Sequence, residues 1–149
     1  MVKRFFDIIF AINVLIFLSP IILSIALIIY TFDGKPIIFK QLRVGKDKKN
    51  FKFYKFRTMS NEINPNENEL DRITKLGRFL RRSSLDELPT FYNVLKGDMS
   101  IVGPRPLAVH HYERDLSQGN ITRKLIKGGL IGLGHVLKGT PEMGQPIYE

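Results

Sequence analysis

The apolar residues of this chain are concentrated in one block near the N-terminus. Between Phe5 and Phe32 the sequence reads FFDIIFAINVLIFLSPIILSIALIIYTF, in which Asp7 is the one charged residue. As a continuous helix, the stretch from Phe5 to Tyr30 would measure about 39 Å, more than the roughly 30 Å hydrocarbon core of a bilayer. The block also exceeds the apolar region of a signal peptide, and no small-x-small cleavage site follows it. The pattern therefore predicts a membrane-embedded segment.

Two features bear on whether this block crosses the membrane. Ser19-Pro20 lies near its middle, and Pro20 cannot donate to the carbonyl of Ile16, so the helix should kink there. The Ser19 hydroxyl can help satisfy the freed carbonyls. Basic residues flank the block on both sides: Lys3 and Arg4 before it, and Lys35, Lys40, Arg43, Lys46, Lys48 and Lys49 after it. Because basic flanks favour the cytoplasmic side, a re-entrant hairpin accommodates both, and a kinked spanning helix remains the alternative.

Beyond the block, the pattern changes to short elements. Two β-like runs, around Ile37–Arg43 and Phe51–Thr58, flank the turn-rich segment Gly45–Asn50 and predict a β-hairpin. Residues 60–73 are acidic and rich in Asn, typical of a surface loop. Thr74 is a candidate N-cap for a helix over Lys75–Arg82, and Ser100–Val102 is a candidate buried strand. The predicted fold class is mixed α/β and helix-rich.

Composition narrows the set of partners. The 149 residues carry a formal net charge of +9, which favours phospholipid, nucleic acid or phosphorylated small molecules. No cysteine is present, which excludes disulfides and cysteine metal sites. Aromatic and basic residues alternate over residues 51–57, a pattern of nucleic-acid binders that, directly after an apolar block, is better explained by lipid headgroups. Asp7 follows Lys3 and Arg4 within one helical turn, and we interpret it as half of an ion pair near the headgroups.

Asp86-Glu87 is the candidate for chemistry in the centre of the chain. One interpretation is structural: Ser84 and Glu87 fit an S-x-x-E capping box, although Pro89 would then fall where its missing N–H is needed. The other interpretation is a catalytic carboxylate pair. Arg105 lies between Pro104 and Pro106, which restrict the backbone and favour an extended guanidinium suited to bidentate phosphate binding. The two interpretations of the carboxylates stay open on these residues alone.

The order of five motifs resembles the bacterial sugar transferase family, the monotopic phosphoglycosyl transferases of glycan assembly. The motifs are Ser19-Pro20 in the apolar block, KFRTM (Lys55–Met59), SLDELP (Ser84–Pro89), NVLKGDMS (Asn93–Ser100) and GPRP (Gly103–Pro106). The similarity extends from about Lys3 to about Gly139. It implies a re-entrant membrane helix over residues 1–33 and a cytosolic catalytic domain over residues 34–149, on the cytoplasmic face of the bacterial inner membrane.

The resemblance also implies an activity, namely transfer of a sugar phosphate from a UDP-sugar to undecaprenyl phosphate with release of UMP. Asp86 would be the nucleophile, and Glu87 would bind Mg²⁺ with Asp86 or handle a proton. Lys55, Arg57, Arg81 and Arg105 would bind phosphate. This account requires the Asp86 carboxylate to meet a pyrophosphate at the boundary of lipid and water. Phospholipid is a further expected partner, nucleic acid is not, and a homodimer is left open.

The C-terminal part departs from the family pattern. Where relatives carry a segment like R-P-G-I-T-G-L-A-Q-V, Lys127–Val136 reads KGGLIGLGHV, so that Lys127, Gly128 and His135 replace arginine, proline and glutamine. The chain ends at Glu149, where relatives continue. A truncated, inactive membrane-surface module that binds lipid or a partner is therefore the alternative hypothesis.

Overall fold

The computed structural model describes residues 2–60, 71–109 and 125–132. The described residues form four α-helices and two small sheets, with two 3₁₀ turns at Lys46–Lys48 and Leu85–Glu87. In chain order the elements are α1 (Val2–Phe17), α2 (Ser19–Phe32), β1 (Ile38–Val44), β2 (Asn50–Phe56), α3 (Lys75–Ser83), α4 (Thr90–Lys96), β3 (Ser100–Val102) and β4 (Gly129–Ile131). The predicted mixed α/β class is confirmed. Residues 61–70 of the predicted loop lie outside the described residues.

The apolar block is broken at the predicted position. α1 and α2 meet at Leu18 with a bend of 60°. The Ser19 hydroxyl donates to the carbonyl oxygen of Ile16 at 2.7 Å, the group that Pro20 cannot reach with an N–H. Within the described residues, no single helix is long and apolar enough to cross a membrane, whereas α1 and α2 together satisfy the length and composition criteria as a bent pair.

Both ends of the bent pair are fixed to the rest of the protein. At the N-terminal end, Arg4 donates to the carbonyl oxygens of Val94 and Leu95 at the end of α4. At the C-terminal end, the Thr74 hydroxyl donates to the Asp33 carboxylate at 3.2 Å. The same Thr74 hydroxyl accepts the N–H of Gly77, which confirms it as the N-cap of α3.

The ion pair predicted between Asp7 and Lys3 is present, but Asp7 also has partners on β3. Asp7 does lie 3.4 Å from Lys3, but it is 7% exposed. Its carboxylate accepts the hydroxyl of Ser100 at 2.7 Å and the backbone N–H of Ile101 at 3.2 Å. Asp7 is buried because these polar partners, brought in by β3, replace water around the carboxylate. It therefore joins α1 to β3.

The hydrophobic core combines the bent pair with the downstream elements. One cluster contains buried residues of α1, β2, α4 and the segment before β3: Ala11, Phe51, Phe53, Val94 and Met99. A second contains buried residues of α2, β2, α3 and the segment before α4: Ile25, Ile29, Phe56, Leu80 and Leu88. Each helix of the pair thus buries one face against the strands and helices that follow.

The predicted β-hairpin is present, and α4 covers its second edge. β1 and β2 pair antiparallel from Ile38 opposite Phe56 to Val44 opposite Asn50. On the other edge of β2, the amide of Asn93 donates to the carbonyl of Lys52 and accepts the N–H of Tyr54. The Thr90 hydroxyl donates to the carbonyl of Tyr54 at 2.8 Å. These side chains satisfy backbone groups that a third strand would otherwise pair.

The predicted strand Ser100–Val102 is β3, and it pairs parallel with β4. The prediction that this strand is buried is correct for Ser100 but wrong for Val102, which is 61% exposed because the ribbon has only two strands. Gly103, directly after β3, permits the close approach of another backbone segment. A Cβ on Gly129 would lie 2.6 Å from the Cα of Gly103, closer than side-chain carbons approach in proteins. Glycine at both positions therefore lets the two strands meet.

We expect Asp7→Ala to lower the free energy of unfolding by about 1–3 kcal/mol, because it leaves the buried Ser100 hydroxyl and the half-buried Ile101 N–H without their carboxylate acceptor. Thermal unfolding in detergent measures the change. Asn13→Ala is the matched control, since Asn13 is exposed on α1 and donates to the Ile9 carbonyl of its own helix. Equal losses in the two variants would contradict a role for Asp7 in joining α1 to β3.

Candidate active site

The carboxylate pair lies on the 3₁₀ turn Leu85–Glu87, which connects α3 to α4. Ser84 ends α3 with φ of 58°, in the left-handed region, and its side chain makes no capping hydrogen bond. The capping-box interpretation of Ser84 and Glu87 is therefore wrong. Pro89 directly precedes α4, where its missing N–H costs no helical hydrogen bond. The turn therefore places Asp86 and Glu87 between two short helices.

Asp86 is buried among charged groups. Burial raises the pKa of its carboxyl, and the adjacent Glu87 raises it further, whereas Lys55, Arg81 and Arg105 act in the opposite direction. The residue is only 6% exposed, so the expectation of an open carboxylate facing the lipid–water boundary is not met in this conformation. The site is nevertheless built for an anion, because cations from three separate parts of the chain surround the carboxylate.

Glu87 and Arg105 form an ion pair at the same site. An Arg105 guanidinium nitrogen lies 2.5 Å from a Glu87 carboxylate oxygen, and the side chains are 28% and 19% exposed. The prediction that the GPRP segment holds Arg105 for an anion agrees with this placement, although the partner here is a carboxylate. Arg105 thus reaches from the loop after β3 to the turn between α3 and α4.

Arg43 holds the Arg105 loop in place, a role that the sequence analysis did not find. It is 9% exposed, stacks 3.9 Å from the ring centre of Phe53, and donates to the carbonyl oxygen of Pro106 at 2.9 Å. The backbone N–H of Val44 donates to the Leu107 carbonyl beside it. In the sequence, Arg43 is one of several basic residues that follow the apolar block. No local signal separates it from exposed neighbours such as Lys40.

Arg81 and Lys55 reach the site from α3 and β2. The Nε of Arg81 donates to the buried Thr58 hydroxyl at 2.9 Å, which fixes the orientation of the guanidinium. Burial lowers the pKa of Lys55, and the positive charge of Arg81 adds to this effect, whereas Asp86 counteracts it. Two predicted phosphate-binding residues therefore join Arg105 around the carboxylate pair.

Arg57 contacts a different part of the molecule. It is 5% exposed and donates to the carbonyl oxygen of Lys35 at 2.6 Å, in the segment between α2 and β1. Its contact is therefore with the end of the bent pair. Its assignment as a phosphate-binding residue stays a prediction.

Asp86 and Glu87 are the residues that could hold Mg²⁺. No group of three or more His, Cys, Asp or Glu residues with metal-binding geometry occurs among the described residues. Mg²⁺ commonly uses one or two carboxylates together with water and substrate phosphates, so a carboxylate pair fits this ion once a phosphate is bound. Three neighbouring cations oppose its binding before that point.

Comparison with known proteins identifies the family. A sequence model described as "Bacterial sugar transferase" matches residues 1–145. The chain belongs to the bacterial sugar transferase family. The resemblance seen in the five motifs is thereby confirmed.

Three relatives illustrate the similarity. A UDP-glucose:undecaprenyl-phosphate glucose-1-phosphate transferase of Klebsiella pneumoniae is 47% identical over 142 residues, covering 90% of this chain and 30% of that protein. The protein of the same name in Escherichia coli K12 is 44% identical, covering 91% of this chain and 31% of its own length. The uncharacterized sugar transferase EpsL of Bacillus subtilis is 42% identical, covering 90% and 67%. The chain thus spans about a third of the first two relatives.

The residues that depart from the family segment have structural contacts. The Nζ of Lys127 donates to the carbonyl oxygen of Gly97 at 2.7 Å, just beyond the end of α4. Gly128 packs against Pro106, next to Arg105. His135 lies outside the described residues.

The raised pKa of Asp86 predicts a pH-dependent effect of Asp86→Asn on stability. A raised pKa means that the folded protein holds this proton more tightly than the unfolded chain, whose Asp titrates near 3.8. Folding stability of the unmodified chain should therefore fall as the pH rises from about 4 through the raised pKa. Asp86→Asn has no carboxyl to titrate at this position, so its free energy of unfolding relative to that of the unmodified chain should increase over the same pH range.

Unfolding midpoints of both proteins, measured in detergent between pH 4 and 8, test this expectation. Glu87→Gln provides the comparison, because it removes one of the two causes of the raised pKa and should weaken the pH dependence attributable to Asp86. If the stability of Asp86→Asn relative to the unmodified chain fell as the pH rose, the ionised Asp86 would be stabilising. That result would refute a raised pKa for Asp86.

Proposed function

We propose that this chain is the catalytic part of a phosphoglycosyl transferase that moves a sugar phosphate from a UDP-sugar to a polyprenyl phosphate and releases UMP. The observation that carries the proposal is the clustering of Lys55, Arg81 and Arg105 around the Asp86–Glu87 pair. Relatives of the same family bear names that state this reaction with UDP-glucose and undecaprenyl phosphate.

In the proposed reaction, an Asp86 carboxylate oxygen attacks the phosphorus that bears the sugar. The bond from that phosphorus to the UMP oxygen breaks, and its electron pair leaves with UMP. An oxygen of the lipid phosphate then attacks the same phosphorus and displaces the aspartate. A carboxylate needs no base to become a nucleophile, and the raised pKa of Asp86 makes it more basic than an ordinary aspartate.

The cations stabilise the charge that develops on the phosphoryl oxygens. Phosphoryl transfer depends mainly on positioning and on neutralising these oxygens, and Arg81 and Arg105 offer forked donors for the task. Arg105 is paired with Glu87 and Asp86 is buried, so a substrate pyrophosphate has to replace Glu87 as the partner of Arg105. Substrate binding thereby opens the site and releases Glu87.

Glu87, once released, would hold Mg²⁺ together with Asp86 and the substrate. The ion would supply positive charge that offsets the pyrophosphate oxygens. The assignment is supported by the two adjacent carboxylates and by the need to compensate more negative charge when the substrate is bound. Glu87 is also positioned to take up a proton.

We propose further that α1 and α2 enter the membrane from the cytoplasmic face of the bacterial inner membrane and return to it. Large apolar side chains along both helices are exposed, for example Phe17 at 76% and Leu23 at 68%, an arrangement that water does not favour. The polar side chains of Asn13, Ser19, Ser24 and Thr31 each donate to a carbonyl of the pair one turn earlier, which suits a hydrocarbon environment.

The contacts at the two ends of the pair favour re-entrance over a span. Arg4 and Asp7 contact α4 and β3, and Asp33 contacts the N-cap of α3. A spanning segment would place its ends on opposite sides of the bilayer, whereas here both ends contact the unit that carries the Asp86–Glu87 pair. Phospholipid is the corresponding partner, and a homodimer stays a prediction.

We expect Asp86→Asn to abolish magnesium-dependent UMP release in the presence of undecaprenyl phosphate, because the amide is not a nucleophile. UMP is measured with a panel of UDP-hexoses, and unfolding midpoints establish that the variant is folded. Asp98→Asn is the matched control, since Asp98 lies after α4 and pairs with Lys96. Retained turnover in Asp86→Asn would exclude Asp86 as the nucleophile.

An unmodified chain that binds vesicles but releases no UMP from any member of the panel would support the alternative hypothesis of an inactive membrane-surface module.

Topology can be tested because the chain contains no cysteine. Single cysteines at Val2, which is 71% exposed, and at Lys46, in the exposed turn between β1 and β2, should both react with an impermeant maleimide only from the cytoplasmic side. Inverted membrane vesicles and intact spheroplasts provide the two orientations. Labelling of the two positions from opposite sides would establish a span and contradict re-entrance.

A further inference from the structure

Each strand of the two-stranded β3–β4 ribbon lines one of two apolar cavities. The larger, of about 460 Å³, lies against α1 and is lined chiefly by Phe6, Ile9, Phe10, Ile101 and Val102. The smaller, of about 280 Å³, lies against the turn that carries the carboxylate pair and is lined by Ser84, Glu87, Leu88, Phe91, Leu130 and Ile131. Glu87, whose carboxylate holds Arg105, therefore also forms part of an apolar cavity.

The two cavities are connected by apolar side chains. Val102, from the larger cavity, is the register partner of Ile131, from the smaller one, and parallel partners project from the same face of a sheet. Both side chains are exposed, at 61% and 53%. The rings of Phe10 and Phe91, one from each cavity, lie 6.2 Å apart. We call this continuous surface, from α1 to Glu87, the apolar track.

The chemistry of the track selects its occupant. The walls are mostly aliphatic and aromatic, and polar side chains contribute little of the exposed lining. The hydroxyls of a sugar nucleotide would therefore lose more hydrogen bonds to water there than the walls replace. The polar lining residues are Lys3, Asp7, Asn13, Ser84 and Glu87. One end opens on the exposed apolar face of α1, and the other end reaches the Glu87–Arg105 pair. A matching ligand has a long hydrocarbon chain with a phosphate at its end.

We propose that the apolar track binds the first isoprene units of the polyprenyl phosphate acceptor, with the phosphate directed to Arg105. This assignment rests on the proposed function, which requires such an acceptor at this site. The chain of the acceptor then extends along the ribbon toward α1 and the bilayer. β3 and β4 thereby determine which lipid is accepted, separately from the residues that bind the UDP-sugar.

Two variants test the track at exposed positions, Val102→Asn and Ile131→Asn. Each places an amide in the path of the hydrocarbon chain, and we expect the KM for undecaprenyl phosphate to rise about tenfold, as for the loss of a fitting apolar contact. The KM for the UDP-sugar should stay unchanged. Leu42→Asn is the matched control, because Leu42 is 49% exposed on β1 and lines neither cavity.

The length of the acceptor provides a second measurement. The unmodified protein should prefer acceptors with more isoprene units until the track is filled, and the two variants should lose this preference. A phosphate on an unbranched alkyl chain of equal length distinguishes recognition of isoprene from general affinity for lipid. Equal use of both acceptors by the unmodified protein would overturn the proposal.

Cross-linking tests the track without turnover. A photoreactive polyprenyl phosphate should label Asp86→Asn at residues of the track, as located by mass spectrometry, and labelling should fall in the double variants that also carry Val102→Asn or Ile131→Asn. Labelling elsewhere, or a parallel loss of binding to phospholipid vesicles, would contradict an acceptor site on the track. Failure of the proposed function gives a different result, since the unmodified chain would release no UMP with any acceptor.

Discussion

The buried carboxylate of Asp86 lies beside a second carboxylate, that of Glu87, and the pair requires positive charge nearby. The arrangement of the fold around the pair follows from that requirement. Asp86 and Glu87 are adjacent in the chain, so their repulsion cannot be relieved by moving them apart. The compensating charges come from β2, α3 and the loop after β3. Two of the cations are held by contacts of their own, Arg81 by Thr58 and Arg105 by Glu87, and Arg43 holds the Arg105 loop. The positions of these short elements are therefore constrained, because each has to keep its cation close to the carboxylate pair.

The bent helix pair belongs to the same arrangement. Ala11 of α1 is buried with Phe51 and Phe53, and Ile29 of α2 is buried with Phe56 and Leu80. Both hydrophobic clusters therefore combine residues of the range 1–33 with described residues that follow it. Insertion of the pair into lipid would fix the orientation of β2, which carries Lys55. The proposed depth of the helix pair in the membrane and the geometry of the carboxylate pair are therefore coupled through side-chain packing.

Local signals account for the part of the structure that the sequence predicted. Pro20 breaks the helix because it lacks an N–H, Thr74 caps α3 with its own hydroxyl, and the hairpin follows from alternation around a turn. The errors and omissions concern distant partners. Asp7 contacts Ser100 across 93 positions, and Arg43 contacts Pro106 across 63. The neighbours of a residue in the sequence do not indicate such partners, which explains why the contacts of Asp7 with β3 and the burial of Asp86 were not predicted.

Lys127 and Gly128, which depart from the family segment, also contact distant parts of the chain. Lys127 keeps a cation near the end of α4, where the last carbonyls attract positive charge and where Arg4 also donates. Gly128 has a different effect, since even a Cβ there would lie 3.0 Å from the ring of Pro106. Gly128, directly before β4, therefore permits a close approach to the Arg105 loop. Leu130 and Ile131, two and three positions further on, line the smaller cavity, so the contact at Gly128 links the apolar track to the loop that carries Arg105.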